Sequence, residues 1–268
     1  MAGIVFGCVV PHPPLMVPDV GKGQERAISA TIQSLEEVAE LIAGRKPETA
    51  LVISPHGDTH VDAMGILAQE SFTGNMFVWG SRLPERKFTN DLEMVRLIEV
   101  ESKADDIPVT RIGGAAYELD WGVMAPLHYL YQGLEGVPLM ELTFSFLPLE
   151  THYKYGKAIR RAAEKSNKRV LLVASGDLSH RLIPDAPAGY DPLGKVFDQQ
   201  LVDALSRMDA DGILKMDREL ISRAGECGLR SAVILLGALD GLKVQPKIHS
   251  YEGPFGVGYL VASFNVVD

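Results

Sequence analysis

Three short apolar runs, each leading through Pro or Gly towards a histidine, constrain this chain more than any other feature. Residues 4–10 precede Pro11-His12, residues 50–54 precede Pro55-His56, and residues 170–175 precede Gly176-Asp177-Leu178-Ser179-His180. Runs of this length, rich in valine, isoleucine and leucine, suit strands buried on both faces of a parallel sheet. Ligands of open α/β sheets bind in the crevice beyond the carboxyl ends of the strands. The pattern therefore predicts all three imidazoles in one crevice.

The remainder of the chain can support such a site. With 268 residues, 46% of them hydrophobic, it can bury one large core. A net charge of -9, from 26 Lys+Arg against 35 Asp+Glu, disfavours nucleic acid or an anionic membrane as partner and points to a small substrate or a protein. Cys8 and Cys227 are the only cysteines, too few for a disulfide framework, which reads as a reduced, cytoplasmic protein. The apolar start is not preceded by a basic region and is cut short by Pro11, Pro13 and Pro14, so neither a signal peptide nor a spanning helix is expected.

Ile28, Ile32, Leu35, Ala39 and Ile42 recur at helical spacing, with Gly44 as the expected stop. With the strands on either side they make a β-α-β unit with a right-handed crossover. Alternating stretches at 64–68 and 76–79 follow, then a helix over 90–103. A second helix is expected over 121–131, a strand over 137–142 and a crossover helix over 150–165. The Pro-rich stretch 180–192 reads as a loop over the crevice. Helices are expected at 194–206, 210–223 and 227–240, and strands at 243–251 and 256–264 around a hairpin at Glu252-Gly253-Pro254. The expectation is one α/β domain over residues 1–268, a mostly parallel central sheet flanked by helices with an antiparallel C-terminal hairpin at its edge.

The prolines around His12 hold its segment extended and so aim its ring. His56 and His60 are four apart, but Pro55 and Gly57 favour a loop, with His56 as the ligand and His60 behind it or near substrate. Asp177 can orient a ring, although a cap on the following turn is its plainer role. His128 lies on an apolar segment where a buried structural histidine is the ordinary finding; His152 and His249 read as surface or structural. No Gly-X-Ser-X-Gly elbow and no glycine-rich phosphate loop follows the first strand, which sets a metal above a serine triad. Two imidazoles and a carboxylate leave open positions on a ferrous ion, and Glu226, at the start of a helical stretch, is the candidate carboxylate.

Taken in order, residues 10–14, 54–58, 121–128, 175–180 and 224–228 resemble the LigB-type class III extradiol dioxygenases, a superfamily that includes Memo proteins. The resemblance spans essentially the whole chain. It implies a non-haem Fe(II) site with His12 and His56 as ligands, His180 as acid/base and His128 near the substrate. Ring-cleaving members carry Glu just before the helix glycine and Memo proteins carry Cys. Here that position is Cys227, with Glu226 one residue earlier, so the third ligand is either of the two, and a thiolate would favour zinc or copper. Two readings follow from the resemblance. One is an extradiol dioxygenase taking a small aromatic diol or aminophenol and O2, with a small second subunit in some members. The other is a Memo-like metal-binding or redox protein working with partners, a radical-SAM protein among them, without ring cleavage. A homo-oligomer is the expected assembly.

Overall fold

The computed structural model describes residues 2–115 and 117–267. Its strands are β1 (Gly3–Val10), β2 (Thr49–Ser54), β3 (Met64–Leu67), β4 (Ser71–Gly74), β5 (Arg86–Thr89), β6 (Val109–Ile112), β7 (Glu118–Leu119), β8 (Leu139–Thr143), β9 (Arg169–Ser175), β10 (Val244–Glu252) and β11 (Tyr259–Val266). Its helices are α1 (Pro18–Gly21), α2 (Ser29–Arg45), α3 (Leu92–Ala104), α4 (Trp121–Leu130), α5 (Leu149–Ser166), α6 (Pro192–Ser206), α7 (Ala210–Leu214), α8 (Arg218–Ala224) and α9 (Leu229–Leu239).

Eight strands form the main sheet in the order β10-β11-β1-β9-β2-β8-β3-β6. Its centre, β1-β9-β2-β8, is parallel. The terminal hairpin β10-β11 runs antiparallel at one edge, as expected, with β11 against β1. Alternation along the strands divides the interior in two. Leu51, Ile53, Leu172 and Ala174 face one apolar cluster with α3, α5 and α9, while Ala50, Val52, Leu171 and Val173 face another with α2 and α4. Burial on both faces explains why these strands read as continuous apolar runs. A small sheet, β5-β4-β7, stands apart.

Helix α9 is buried at every position except Arg230. Its crossing with α5 is made by glycines: a Cβ at Gly156 would lie 2.1 Å from the Ile234 carbonyl oxygen, and one at Gly237 2.1 Å from the Tyr153 carbonyl oxygen. Backbone meets backbone there, so no side chain fits.

Several local expectations shift. β9 is inserted between β1 and β2, so the first β-α-β unit does not join adjacent strands. Helix α2 runs through Gly44; Lys46, at φ 50°, takes the left-handed cap, because Pro47 behind it cannot continue the helix. Residues 76–79 form no strand; Phe77–Trp79 is a single 3-10 turn closed by Gly80 at φ 80°. The stretch 210–223 is two helices, because Asp217 caps a new start by accepting the Glu219 N–H. The closing connection is longer than a tight turn and occupies residues 253–258. No helix among the described residues is long and apolar enough to cross a membrane.

The glycine crossing predicts that Gly237→Val costs about 2–3 kcal/mol through overpacking against backbone. Urea unfolding of the variant should show the midpoint falling accordingly; an unchanged midpoint would contradict the packing described.

Candidate metal centre

The ends of β1, β9 and β2, neighbours in the sheet, each release a polar residue two positions beyond the strand: His12, Asp177 and His56. The last residues of β2 and β9 are buried serines that set the geometry. Ser175 gives its one hydroxyl proton to the Gly122 carbonyl, so its oxygen must accept from His12 Nδ1 at 2.9 Å. That fixes the His12 tautomer and leaves a lone pair on Nε2. Ser54 donates to Asp120 Oδ1 at 2.8 Å and accepts the His56 N–H at 3.2 Å, which seats the start of α4 beside the His56 loop.

The free side of His12 meets two other donors. His56 Nε2 lies 3.1 Å from His12 Nε2 and Cys227 Sγ lies 3.5 Å from it. Among the described residues, these three form a group whose ligand atoms all lie within 4.8 Å of one another. Burial, only partly offset by Asp120, lowers the His12 pKa to about 4. Burial and the neighbouring His12 lower that of His56 to about 4. Both rings are therefore neutral at neutral pH, the state in which imidazole binds a metal. The partly buried Cys227 thiol is pushed up, first by desolvation and then by Asp177. Two convergent imidazole nitrogens and a sulfur, close together and half-enclosed, fit a transition-metal ion.

Cys227 reaches the group through a backbone contact. A Cβ on Gly176 would fall 2.1 Å from Gly228 Cα, so the chain leaving β9 touches the chain entering α9 directly. The Asp177 carbonyl accepts the N–H groups of Cys227 at 3.2 Å and Gly228 at 2.9 Å, and the Asp177 N–H donates to Cys227 Sγ at 3.3 Å. Glu226, one residue earlier, is engaged elsewhere: its Oε2 accepts the Leu229 N–H at 2.7 Å, and its Oε1 stands 3.9 Å from Arg230 Nη1. It acts on the first turn of α9.

Asp177 is shared. Its Oδ1 accepts the His12 N–H at 2.9 Å, and its Oδ2 lies 3.9 Å from His12 Nε2 and 4.0 Å from His180 Nε2. Burial raises its pKa to about 6. His180 Nδ1 lies 2.7 Å from the Gly225 carbonyl oxygen, which can only accept, so this nitrogen carries the proton in the neutral ring. Nε2 is left as a base on the Asp177 side.

The other histidines are not members of the group. His60 bridges to Ser145 and lines a cleft that His56, Gly57 and Asp58 share. His128 sits two turns along α4, edge-on to Tyr129, and lines a cavity of about 100 Å³ with Arg86 and Met124. Burial, then Arg86, lowers its pKa. His152 is fully buried and bonds the turn before α5, while His249 bonds Ser263 and Glu37.

Several contributors were not foreseen from the sequence. The polar residue ending each apolar run was the available signal for Ser54 and Ser175. Trp121 stacks on His56 with centroids 4.3 Å apart and planes at 24°, and Trp79 meets Trp121 edge-on at 5.5 Å. These are the only two tryptophans of the chain. Glu141, in the middle of β8, is fully buried and accepts from Tyr117 Oη at 2.9 Å. Glu141 Oε1 and Asp120 Oδ2 are both buried without a partner, and one proton shared between the two carboxyls satisfies both.

The chain's similarities agree with this layout. Residues 7–262 match the family described as the catalytic LigB subunit of aromatic ring-opening dioxygenase. A Clostridium acetobutylicum protein whose name states no activity is 34% identical over 94% of this chain; the chain spans only 56% of that protein's length. The 2-aminophenol 1,6-dioxygenase beta subunit of a Pseudomonas species is 21% identical over 98% of this chain and 94% of its own. In the crystal, an uncharacterized Escherichia coli K12 protein has the same fold, with a TM-score of 0.63 and 17% identity over 97% of this chain and 99% of its own.

Two measurements probe this geometry. A metal bound at His56 should alter the tryptophan emission, and Trp121→Phe should remove most of that change; an unaltered response would mean that the metal lies elsewhere. Burial, then the Asp120 charge, holds the Glu141 pKa well above its ordinary 4.5. The stability this proton contributes is complete below 4.5 and is lost as pH rises through the folded value, by at most about 1.4 kcal/mol per pH unit. Glu141→Gln should flatten the decline in urea midpoint between pH 5 and pH 8, whereas an identical decline would place the titration in another group.

Proposed function

The chain belongs to the LigB family of catalytic subunits of aromatic ring-opening dioxygenases, and on that premise we propose that it opens an aromatic diol or aminophenol with O2 at an Fe(II) centre. The observation that carries the reading is the convergence of His12 Nε2 and His56 Nε2, with a third base, His180, across Asp177 from them. His12, His56 and Cys227 are the residues that would hold the ion. When bound, a ferrous ion supplies Lewis acidity and one-electron redox capacity for the reaction of diol with O2.

The chain's own residues do the rest. His180 Nε2 takes the proton of a substrate hydroxyl, and the Gly225 carbonyl on its Nδ1–H keeps the lone pair on that side. Asp177, close to His180 Nε2, stabilises the imidazolium that forms. Ser175 aims the His12 ring and Trp121 covers one face of His56, so both ligands are placed before substrate arrives. As the Pseudomonas relative is named as one subunit of its enzyme, a second subunit completing this one is part of the proposal.

One observation favours a second reading, a metal-binding or redox protein without ring cleavage: the third donor beside the imidazoles is a thiol, a soft ligand suited to zinc or copper. Elemental analysis of protein purified without added metal, followed by anaerobic Fe(II) loading and oxygen uptake with diols, decides between them. Iron with diol-dependent uptake supports ring opening; tight copper or zinc with no uptake after iron loading supports the second reading. Under the first, His180→Gln should retain iron and lose about 10²–10⁴-fold in turnover. Cys227→Ala should weaken metal binding far more than Glu226→Gln does; the reverse order would make Glu226 the third ligand.

A further inference from the structure

Ser179 and His180 have spent every backbone polar group they own, and one partner differs in kind from the rest. The His180 N–H donates to the Ala224 carbonyl at 3.2 Å, and the His180 carbonyl accepts the Ala188 N–H at 3.2 Å. The Ser179 carbonyl accepts the Gly258 N–H at 2.9 Å. The fourth group, the Ser179 N–H, meets a charged side chain instead of backbone: it donates to Oδ1 of Asp198, on α6, at 2.8 Å.

Asp198 is fully buried, and its other oxygen is used as well. Oδ2 accepts the hydroxyl of Tyr251, on β10, at 2.6 Å. Burial raises the Asp198 pKa to about 6, and the Tyr251 hydroxyl and then the Ser179 N–H act to lower it, so the group is a carboxylate at neutral pH. Burial, then the Asp198 charge, pushes the Tyr251 hydroxyl up and keeps it a donor. A Cβ at Gly258 would fall 2.2 Å from Asp198 Oδ2, so the glycine leaves the space that the carboxylate fills. A buried charge is costly, and this one is offset by two charge-assisted bonds that join α6, β10 and the segment of the base. The Ser179 hydroxyl adds a bond to the Ala224 carbonyl at 2.9 Å, beside the Gly225 carbonyl that fixes the His180 ring. Ring and main chain of the base are thus held from two sides, by residues 224–225 and by Asp198.

We propose that Asp198, backed by Tyr251, is a positioning residue for His180: its carboxylate holds the Ser179 N–H and so keeps the His180 ring on the Gly225 carbonyl with Nε2 towards Asp177. The positioning stands apart from the chemistry at the metal; its effect on turnover rests on the ring-opening reading.

The test reads the His180 ring by nitrogen NMR of the full, metal-free chain carrying isotope-labelled histidine, at a pH where the ring is neutral, with His180→Gln to identify the signal. The wild type should show one tautomer, with the proton on Nδ1. Asp198→Ala should convert this to a mixture of tautomers. Asp198→Asn should restore it, because its Oδ1 still accepts the Ser179 N–H and its amide donates to the Tyr251 oxygen. An unchanged signal in Asp198→Ala overturns the proposal, as does a mixture in Asp198→Asn as large as in Asp198→Ala. Should Asp198→Ala fail to fold, Tyr251→Phe takes its place: it removes the outer donor and should shift the signal the same way by less, and an unchanged signal there overturns the proposal as well. Oxygen uptake by the Fe(II)-loaded variants with a diol then measures the consequence. Asp198→Ala should lower kcat about tenfold or more with KM and iron content unchanged, and Asp198→Asn should recover most of it. A shifted tautomer with unaltered kcat overturns the effect on turnover. A shifted tautomer in a protein whose wild type turns over no diol leaves the positioning standing and fails the ring-opening reading instead.

Discussion

The contact on which the site depends is the one between Gly176 and Gly228, where two backbones meet with no room for a Cβ. It brings the segment leaving the central strand β9 against the segment entering α9, so that the Asp177 carbonyl receives two successive N–H groups and Cys227 lands beside His12. The same segment carries Gly225, which orients His180, and Glu226, which secures the first turn of α9. A larger residue at Gly176 would push Cys227 and the Gly225 carbonyl away from His12 and His180 together. The α5–α9 crossing at Gly156 and Gly237 holds the other end of that helix by the same device.

Given that anchor, the polar groups at the strand ends have few choices. A hydroxyl has one proton, and the Ser175 proton goes to Gly122, so the His12 ring must present its Nε2 lone pair to the centre. A carbonyl has none, so Gly225 dictates which nitrogen of His180 is the base. Burial keeps His12 and His56 neutral. The result is a cluster whose protonation states are set by the protein before any ligand arrives, as a metal centre with an adjoining base requires.

Much of this was legible in the chain. The runs ending at Val10, Ser54 and Ser175 read as buried parallel strands because burial on both faces removes polar alternation, and the histidines after them lie at the carboxyl ends for the same topological reason. The family resemblance extended to the full length of the fold. Boundaries that turn on a single cap were less visible. Lys46 instead of Gly44 ends α2 because of the proline behind it, and Asp217 splits 210–223 into two helices. The insertion of β9 between β1 and β2 leaves no local trace, since strand order is decided by pairing across more than a hundred residues.

By itself, then, the sequence determined the layers, the strand ends and the pair His12 and His56, because each follows from local periodicity and from where polar residues interrupt it. The tertiary structure decided what stands beside them. Glu226 and Cys227 are adjacent, and which one faces the imidazoles depends on the direction of the backbone at Gly228, set by Gly176 fifty-two positions earlier. The stacking of Trp121 on His56 and the paired carboxyls of Asp120 and Glu141 arise in the same way. Side-chain direction at such points is fixed by contacts between distant segments, and spacing along the chain carries no record of them.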